Sequence, residues 1–490
     1  MVSETPTLIG SSWMDSDRAV GCYSNGLEDC MQTDSQDFAV ILAAGRGTRM
    51  KSDLAKVLHP LVGRTMVGHV VAASQDAGLR PVLVVNHQEE AVRSAFAEGD
   101  VQFARQEQTR GTGDAVASAL GVLPEAGTVV VMAGDAPLLR SETIASLRAA
   151  HGGAAVTVLT AIVDDGGHYG RLERDESGQP LRIVEAVMAS PEQQAITEIN
   201  TGLYCFDIEW LRRVLPTLES HGPKDEVFLT DVVERASSEG RASVLVHDDF
   251  SEVLGVNDRY ELARARVVLQ RRIIEAHGRA GVDFISPDTV VVHHGVQIDA
   301  DVSIGPGAVL EGHTSIGSGT SIGPHCHLID ADIGANVVVH GFSMCVSAQV
   351  EEGASIGPYA RLRQGTLVCT GAKVGNFVEV KKTRLGPGAK ANHLSYLGDA
   401  MVGEGANIGA GTITCNYDGF DKHQTIIGAG AFIGSNSALV APVVVGAGAI
   451  VGAGSVITKP VPDNAVSIAR CSQTDVEGAA SRFRSRKKHT

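Results

Sequence analysis

The chain has no C-x-x-C pair: its eight cysteines, Cys22, Cys30, Cys205, Cys326, Cys345, Cys369, Cys415 and Cys471, are scattered singly over 490 residues. That spacing excludes a zinc knuckle and a disulfide framework, and it fits a reducing cytoplasm. Clustered cations are lacking as well. With 41 Lys and Arg against 57 Asp and Glu the formal net charge is −16. This argues against nucleic acid as a partner and for small molecules, because a phosphate backbone has to be neutralised by grouped Lys and Arg. The one basic run, SRFRSRKKHT, closes a stretch (471–490) that reads as a solvated, disordered tail. Residues 1–37 have neither a basic start nor an apolar stretch, so they read as a disordered extension and not as a signal peptide.

A charge-free run does occur, SNSALVAPVVVGAGAIVGAGSVIT at 435–458, and by length alone it could span a bilayer. Its neighbourhood excludes a membrane helix. Ile427, Ile433, Leu439, Val445, Val451 and Ile457 recur every six residues, a period that no α-helix produces. Ile298, Ile304, Leu310, Ile316, Ile322 and Leu328 keep the same period more than a hundred residues earlier. One aliphatic per hexapeptide is the pattern of a parallel β-helix, in which three six-residue faces close one coil and the aliphatics stack inside. Residues from about 283 to 465 would make roughly ten coils, a prism nearly 50 Å tall at about 4.8 Å per coil. Such a prism has no room for an internal ligand, so function is expected on its surface or in its loops. Breaks in the hexads place loops at 335–349 and at GTITCNYDGFDKHQ, 411–424.

Ahead of the prism, RYELARARVVLQRRIIEAHGRAG (259–281) sets Leu262, Ala265, Leu269, Ile273 and Ala276 three or four apart, the stripe of a connecting helix ended by Gly278 and Gly281. Earlier still, AVILA, PVLVVN and TVVVMAG alternate with helical stretches such as TMVGHVVAASQDAG, the pattern of a doubly wound α/β domain. Its first strand runs into AAGRGTRM. A dinucleotide fingerprint needs a third glycine where Met50 stands and an acid where the second strand ends in Asn86 and His87. Arg49 and Lys56 instead set two cations beside a Gly-rich turn, which suits a polyphosphate; taken alone, such a turn is equally an ordinary strand-to-helix loop. Asp135, just past TVVVMAG, stands where open α/β sheets bind ligands and could hold a metal ion or cap the next helix.

The combination is more specific than its parts. GRGTRM with Lys56, then QEQTRGTGDA, AGDAPL, YGR, EINTG and GVNDR, stand in the order seen in sugar-phosphate nucleotidyltransferases. With the hexapeptide half, the chain from about residue 38 to 475 resembles the bacterial family of bifunctional N-acetylglucosamine-1-phosphate uridylyltransferases and glucosamine-1-phosphate N-acetyltransferases. The resemblance implies an α/β, Rossmann-like nucleotidyltransferase domain (38–258), a linker helix (259–281) and a left-handed parallel β-helix of hexapeptide repeats carrying acetyltransferase activity (282–470). It implies that Leu42, Ala43, Ala44, Gly45, Arg49 and Lys56 hold the triphosphate of UTP, Arg49 and Lys56 as the catalytic cations, while Gln106, Gly111 and Thr112 read the uracil. Asp135 and Asn257 would carry Mg²⁺, and Gly170, Glu185, Asn200 and Thr230 would line the sugar pocket.

For the second site, KVGNFVEVKK, KANHLSYLGDA and NIGAGTITCNYDGFDK resemble the acetyltransferase signature of the same family. His393 is the expected general base, since an imidazole can take the proton of an attacking amine at neutral pH, with Glu379 as its orienting partner. Arg363, Lys381, Tyr396 and Asn407 would hold the sugar phosphate. Ala410, Asn416, Tyr417, Lys422, Ser435, Ala453 and Arg470 would bind acetyl-CoA. A homotrimer is implied, and flat prism faces suit a threefold axis. The rival expectation is a sugar nucleotidyltransferase whose β-helix only regulates, but it leaves His393, Tyr396 and Asn416 without a role. The chain also departs from its apparent family. Val187 in EAVMA stands where a Lys is usual, Asp114 follows GTG in place of His, and Ala133 replaces Tyr.

Overall fold

The computed structural model describes residues 37–221 and 225–487. Three parallel strands, Phe38–Leu42, Arg80–Val85 and Thr128–Ala133, form the centre of a nine-stranded mixed sheet. Gln102–Arg105 extends it in parallel on one side, and the long antiparallel strand Glu198–Asp207 joins Thr128–Ala133 to Val156–Ile162 on the other. Alternate residues of the central strands feed opposite faces, as the pleat requires. Val40, Val82, Val84 and Val131 pack under the helices Gly111–Ala119, Ile208–Val214 and Asp231–Ser238. Ile41, Leu83, Val85 and Met132 pack under Met66–Asp76 and Ser141–His151. Both faces are covered, so these strands read as continuous apolar runs.

The periodic half is a β-helix with three parallel sheets of 11, 10 and 9 strands, each strand two to four residues long. Every hexad aliphatic quoted above is buried in one continuous core. The break at 335–349 is not a loop. Val338–Val339, Met344–Val346 and Ala348–Val350 are strands, and Ile333, Val339, Cys345 and Val350 stay in the stack. One corner is merely shortened by a residue, so Ile316 pairs with Ile333 seventeen positions on, whereas Ile298 pairs with Ile316 eighteen on. The second break is an excursion, since Thr414 registers with Leu439 and residues 416–424 bulge outward.

The helix Arg259–Arg279 bridges the halves. Leu262, Ala265 and Leu269 close a cluster with Met50, Leu61, Met66 and Leu138 of the α/β half, while Ile273 and Ile274 cover the open end of the prism core. Gly278 lies inside this helix and does not end it; the turn comes at Gly281, with φ +102°. Within the stretch expected to be a disordered tail, Ala479–Lys487 is an exposed helix. The extension 1–36 lies outside the described residues.

Candidate active sites

The loop that follows Phe38–Leu42 is held between its neighbours: Ala43 N–H donates to Val84 O (2.9 Å) and Gly134 N–H to Leu42 O (2.9 Å). Ala44 and Gly45 then lead into the single turn Thr48–Met50, which carries Arg49. Gly47 adopts φ +59°, and a Cβ there would collide with the Lys56 side chain, so the glycine lets the two arms of the loop close together. Val256 N–H donates to Asp135 O (2.8 Å), fixing the segment that carries Asn257 beside the end of strand Thr128–Ala133. Four predicted residues thereby converge. Lys56 Nζ forms an ion pair with Asp135 and donates to Asn257 Oδ1 (2.9 Å), which also accepts from Arg49 Nη2 (2.9 Å). Asn257 N–H in turn donates to Glu261 in the first turn of the bridging helix.

Around the expected base site, Gln106 is buried and its Nε2 donates to Gly111 O (3.2 Å) and Asp114 Oδ2 (2.8 Å). Gly111 has φ +92°, and a Cβ would lie 2.6 Å from Val227 O. Thr112 Oγ1 accepts from Leu229 N–H (3.0 Å), so this hydroxyl braces a neighbouring loop. The expected sugar residues form a cluster of their own. Thr230 Oγ1 donates to Glu185 (2.8 Å), and burial pushes the Glu185 carboxyl above the usual carboxylate range. Asn200 N–H donates to Gly170 O (2.9 Å), and its Nδ2 donates to the hydroxyl of Tyr204 (2.7 Å). Tyr204 is fully buried, and desolvation raises its pKa. It had gone unremarked in the sequence, where EINTGLY shows no sign that the tyrosine reaches back to the asparagine.

On the β-helix, Asn376 and His393 pair in adjacent coils, and His393 Nδ1 lies 2.7 Å from Asn376 Oδ1. An amide oxygen can only accept, so Nδ1 is the donor of this pair, which leaves Nε2 as the lone-pair nitrogen of the neutral ring. Glu379, expected to orient His393, does not. It binds Arg363 (2.8 Å) and approaches Arg361 (4.0 Å), because it belongs to the strand Glu379–Lys381 on the next prism face, around the corner at Phe377. Asn376 was legible in principle, lying seventeen residues, one coil, before His393.

Below His393 one prism edge continues through residues joined coil to coil. Gly411 N–H donates to His393 O, Asn436 N–H to Ala410 O, Gly454 N–H to Ser435 O, and Arg470 to Ala453 O. Ala410, Ser435, Ala453 and Arg470 therefore form a single column of mostly small side chains. Arg363, Lys381 and Lys422 gather at the next edge, where the Lys422 side chain beside Lys381 lowers its pKa. There Asn416 donates to Asp399 (2.5 Å) and Tyr417 bridges to Lys422. Tyr396 lies on the face between, in register with Glu379, and Asn407 on the neighbouring face in register with Lys390. No hydrogen bond joins the His393 column to the 416–422 loop among the described residues.

Fold and sites together define a nucleotidyltransferase fused to a hexapeptide-repeat acyltransferase. Residues 39–228 match the MobA-like NTP transferase domain, and 424–459 match the bacterial transferase hexapeptide (six repeats). Similar chains over nearly the whole length are named bifunctional protein GlmU. The one from Trichlorobacter lovleyi is 47% identical over 446 residues, 90% of this chain and 97% of that protein. The one from Enterococcus faecalis is 45% identical over 451 residues, covering 91% and 98%. The one from Anaeromyxobacter sp. (strain Fw109-5) is 47% identical over 451 residues, covering 91% and 92%. The chain belongs to the GlmU family of bifunctional proteins.

Proposed function

We infer that the chain makes UDP-N-acetylglucosamine in two steps. At the β-helix, acetyl-CoA acetylates glucosamine 1-phosphate; at the α/β domain, UTP then uridylylates the product with release of pyrophosphate. The observation that carries this reading is the coexistence in one chain of the Arg49, Lys56, Asp135 and Asn257 convergence with the Asn376–His393 pair. A β-helix that served regulation alone would have no use for an imidazole held in one tautomer.

In the acetyl step the amine of glucosamine 1-phosphate attacks the thioester carbonyl. The N–C bond forms, the C–S bond breaks, and His393 Nε2 takes the amine proton. Arg363 and Lys381 suit the sugar phosphate, and the small-residue column Ala410–Ser435–Ala453 leaves a groove for the cofactor chain beside His393. In the uridylyl step a sugar-phosphate oxygen attacks the α-phosphorus of UTP and the bond to pyrophosphate breaks. No protein nucleophile is required, so the work of the chain is positioning and charge neutralisation by Arg49 and Lys56.

Asp135 and Asn257 present a carboxylate and an amide oxygen to one and the same ammonium, a donor set that fits Mg²⁺ sharing its shell with phosphate oxygens. When bound, that ion supplies further neutralisation of the triphosphate charge. Among the described residues no group of three or more His, Cys, Asp or Glu forms a metal cage, in keeping with a cation that arrives with its nucleotide.

The active assembly is a homotrimer. Two half-sites lie on different edges of one prism, and beside them runs an exposed ladder of His325, Phe342, Tyr359 and Phe377, stacked at centroid spacings of 5.1, 5.1 and 5.3 Å. These rings and Leu394 all occupy corners with φ between +50° and +61°, a conformation costly for bulky residues, and they end beside His393. Burial against a second copy offsets that cost and brings one chain's His393 column to another chain's cationic edge. The protein acts in the cytoplasm on small molecules, with neither nucleic acid nor membrane as a partner. No helix among the described residues is long and apolar enough to cross a bilayer, and the six described cysteines are free. Purified chain supplied with glucosamine 1-phosphate, acetyl-CoA, UTP and Mg²⁺ should release both free thiol and pyrophosphate; thiol without pyrophosphate, or the reverse, would refute the two-step reading.

A further inference from the structure

Gln106 sits at the end of strand Gln102–Arg105 with its backbone N–H bound to Val85 O and its own carbonyl accepting from Asn86 (2.6 Å). Its side chain is equally committed on one side. Both N–H groups of the amide are taken, one by Gly111 O and one by the Asp114 carboxylate. Asp114 is itself held by Arg110 (3.1 Å) and stands in the first turn of Gly111–Ala119, where the helix dipole favours a negative charge. Turning the amide over would set its oxygen against a carbonyl and a carboxylate at once, so the orientation is enforced by charge. The Gln106 Oε1 atom accepts nothing among the described residues and is not one of the sealed, unpartnered polar atoms of the interior.

We propose that Asp114 is a positioning residue for base selection: it holds the Gln106 amide with its oxygen outward, so that the site takes a nucleobase carrying an N–H at that edge. Uracil has that N–H at N3. Cytosine presents a lone pair there, which the same oxygen repels. The proposal rests on the reading that Gln106 meets the base of the nucleotide.

The experiment follows pyrophosphate release from UTP and from CTP with N-acetylglucosamine 1-phosphate, using the full-length chain, with thiol release from acetyl-CoA as the check that each variant is folded. Asp114→Asn can offer an N–H to Gln106 Oε1 and let the amide turn over. The UTP-to-CTP ratio of kcat/KM should then fall about tenfold or more, chiefly through the KM for UTP. Asp114→His restores an acceptor while the imidazole is neutral, so selectivity should return above about pH 6.5 and fade below it. An unchanged ratio in Asp114→Asn, or a lost ratio that Asp114→His restores at no pH, overturns the role of Asp114. Gln106→Ala separates the two levels: if it leaves the KM for UTP unchanged, the nucleotide reading itself is at fault.

Discussion

At the residue scale the two chemistries are separable, because their side chains lie in different halves of the chain and share no partner. His393→Ala removes the proposed acceptor of the amine proton, so acetyl transfer should fall by roughly 10² to 10⁴-fold while pyrophosphate release holds. Asp135→Ala should do the reverse, lowering uridylyl transfer by about 10²-fold or more. Loss of both activities in either folded variant would contradict two independent sites. The departure at Val187 is a finer test. Val187 is 91% exposed and stands two residues beyond Glu185. Arg171 is buried and spends its guanidinium on the carbonyls of Gly166, Gly167 and Tyr169, while Lys224 lies outside the described residues. A screened charge contact is worth up to about 1 kcal/mol and a desolvated one about 2 kcal/mol or more. Val187→Lys is therefore expected to lower the KM for N-acetylglucosamine 1-phosphate by a few-fold to some tens of fold. Unaltered sugar-phosphate kinetics would show that the site does without this cation.

At the element scale the β-helix tolerates coils of seventeen and eighteen residues because the hydroxyls inside its corners adapt. Thr320 Oγ1 donates to Gly334 O (2.8 Å), Thr366 Oγ1 to Val380 O (3.1 Å) and Thr383 Oγ1 to Leu397 O (3.2 Å), so each corner finds a carbonyl in the next coil. A second element, the hairpin Pro60–Thr65, links the phosphate loop to the prism, with His294 N–H donating to Val62 O (3.1 Å). It is braced from beneath by His69, whose Nε2 donates to Leu61 O (2.7 Å). Burial, opposed only by that hydrogen bond, lowers the His69 pKa from 6.5 to about 4. Between those values the unfolded chain binds a proton that the folded chain refuses, so stability is present in full above the upper one and falls as pH drops towards the lower. By pH 5 the loss is on the order of 2 kcal/mol. Calorimetric unfolding should show the wild type losing more stability than His69→Gln between pH 7 and pH 5. Parallel pH profiles for the two proteins would remove His69 from this account.

At the scale of the whole molecule, one helix serves both halves. Its first turns close a cluster of the α/β domain and its last turns cover the prism end, so the domains are packed together and not merely tethered. The proposed homotrimer is tested at the exposed aromatic ladder. The double variant Tyr359→Asp, Phe377→Asp sets two charges where the copies should meet. Light scattering is expected to report one protomer in place of three, with acetyl transfer reduced by at least about 10²-fold and uridylyl transfer within a few-fold of wild type. A variant that stays trimeric, or a monomer that still acetylates, would dissociate the ladder from the active assembly.

The architecture was written in local periodicities. A six-residue repeat can bury its aliphatics only in a β-helix coil, and apolar runs alternating with helical stripes can be covered only in a doubly wound sheet. Motifs short in sequence, such as GRGTRM and KANHLSYLGDA, marked both sites for the same reason: their residues are neighbours along the chain. What the periodicities left open were contacts across coils and loops. His393 takes Asn376 and not Glu379 because the corner at Phe377 puts Glu379 on the next prism face, and the break at 335–349 stays in the wall because losing one residue only tightens a corner. The Gln106–Asp114 lock and the convergence of Lys56, Asp135 and Asn257 belong to this second kind. The convergence depends on side chains that distant segments bring within 3 Å, and the lock on a chain that folds back over eight residues from a strand end to a helix turn; both distances are settled by packing in three dimensions and not by spacing along the chain.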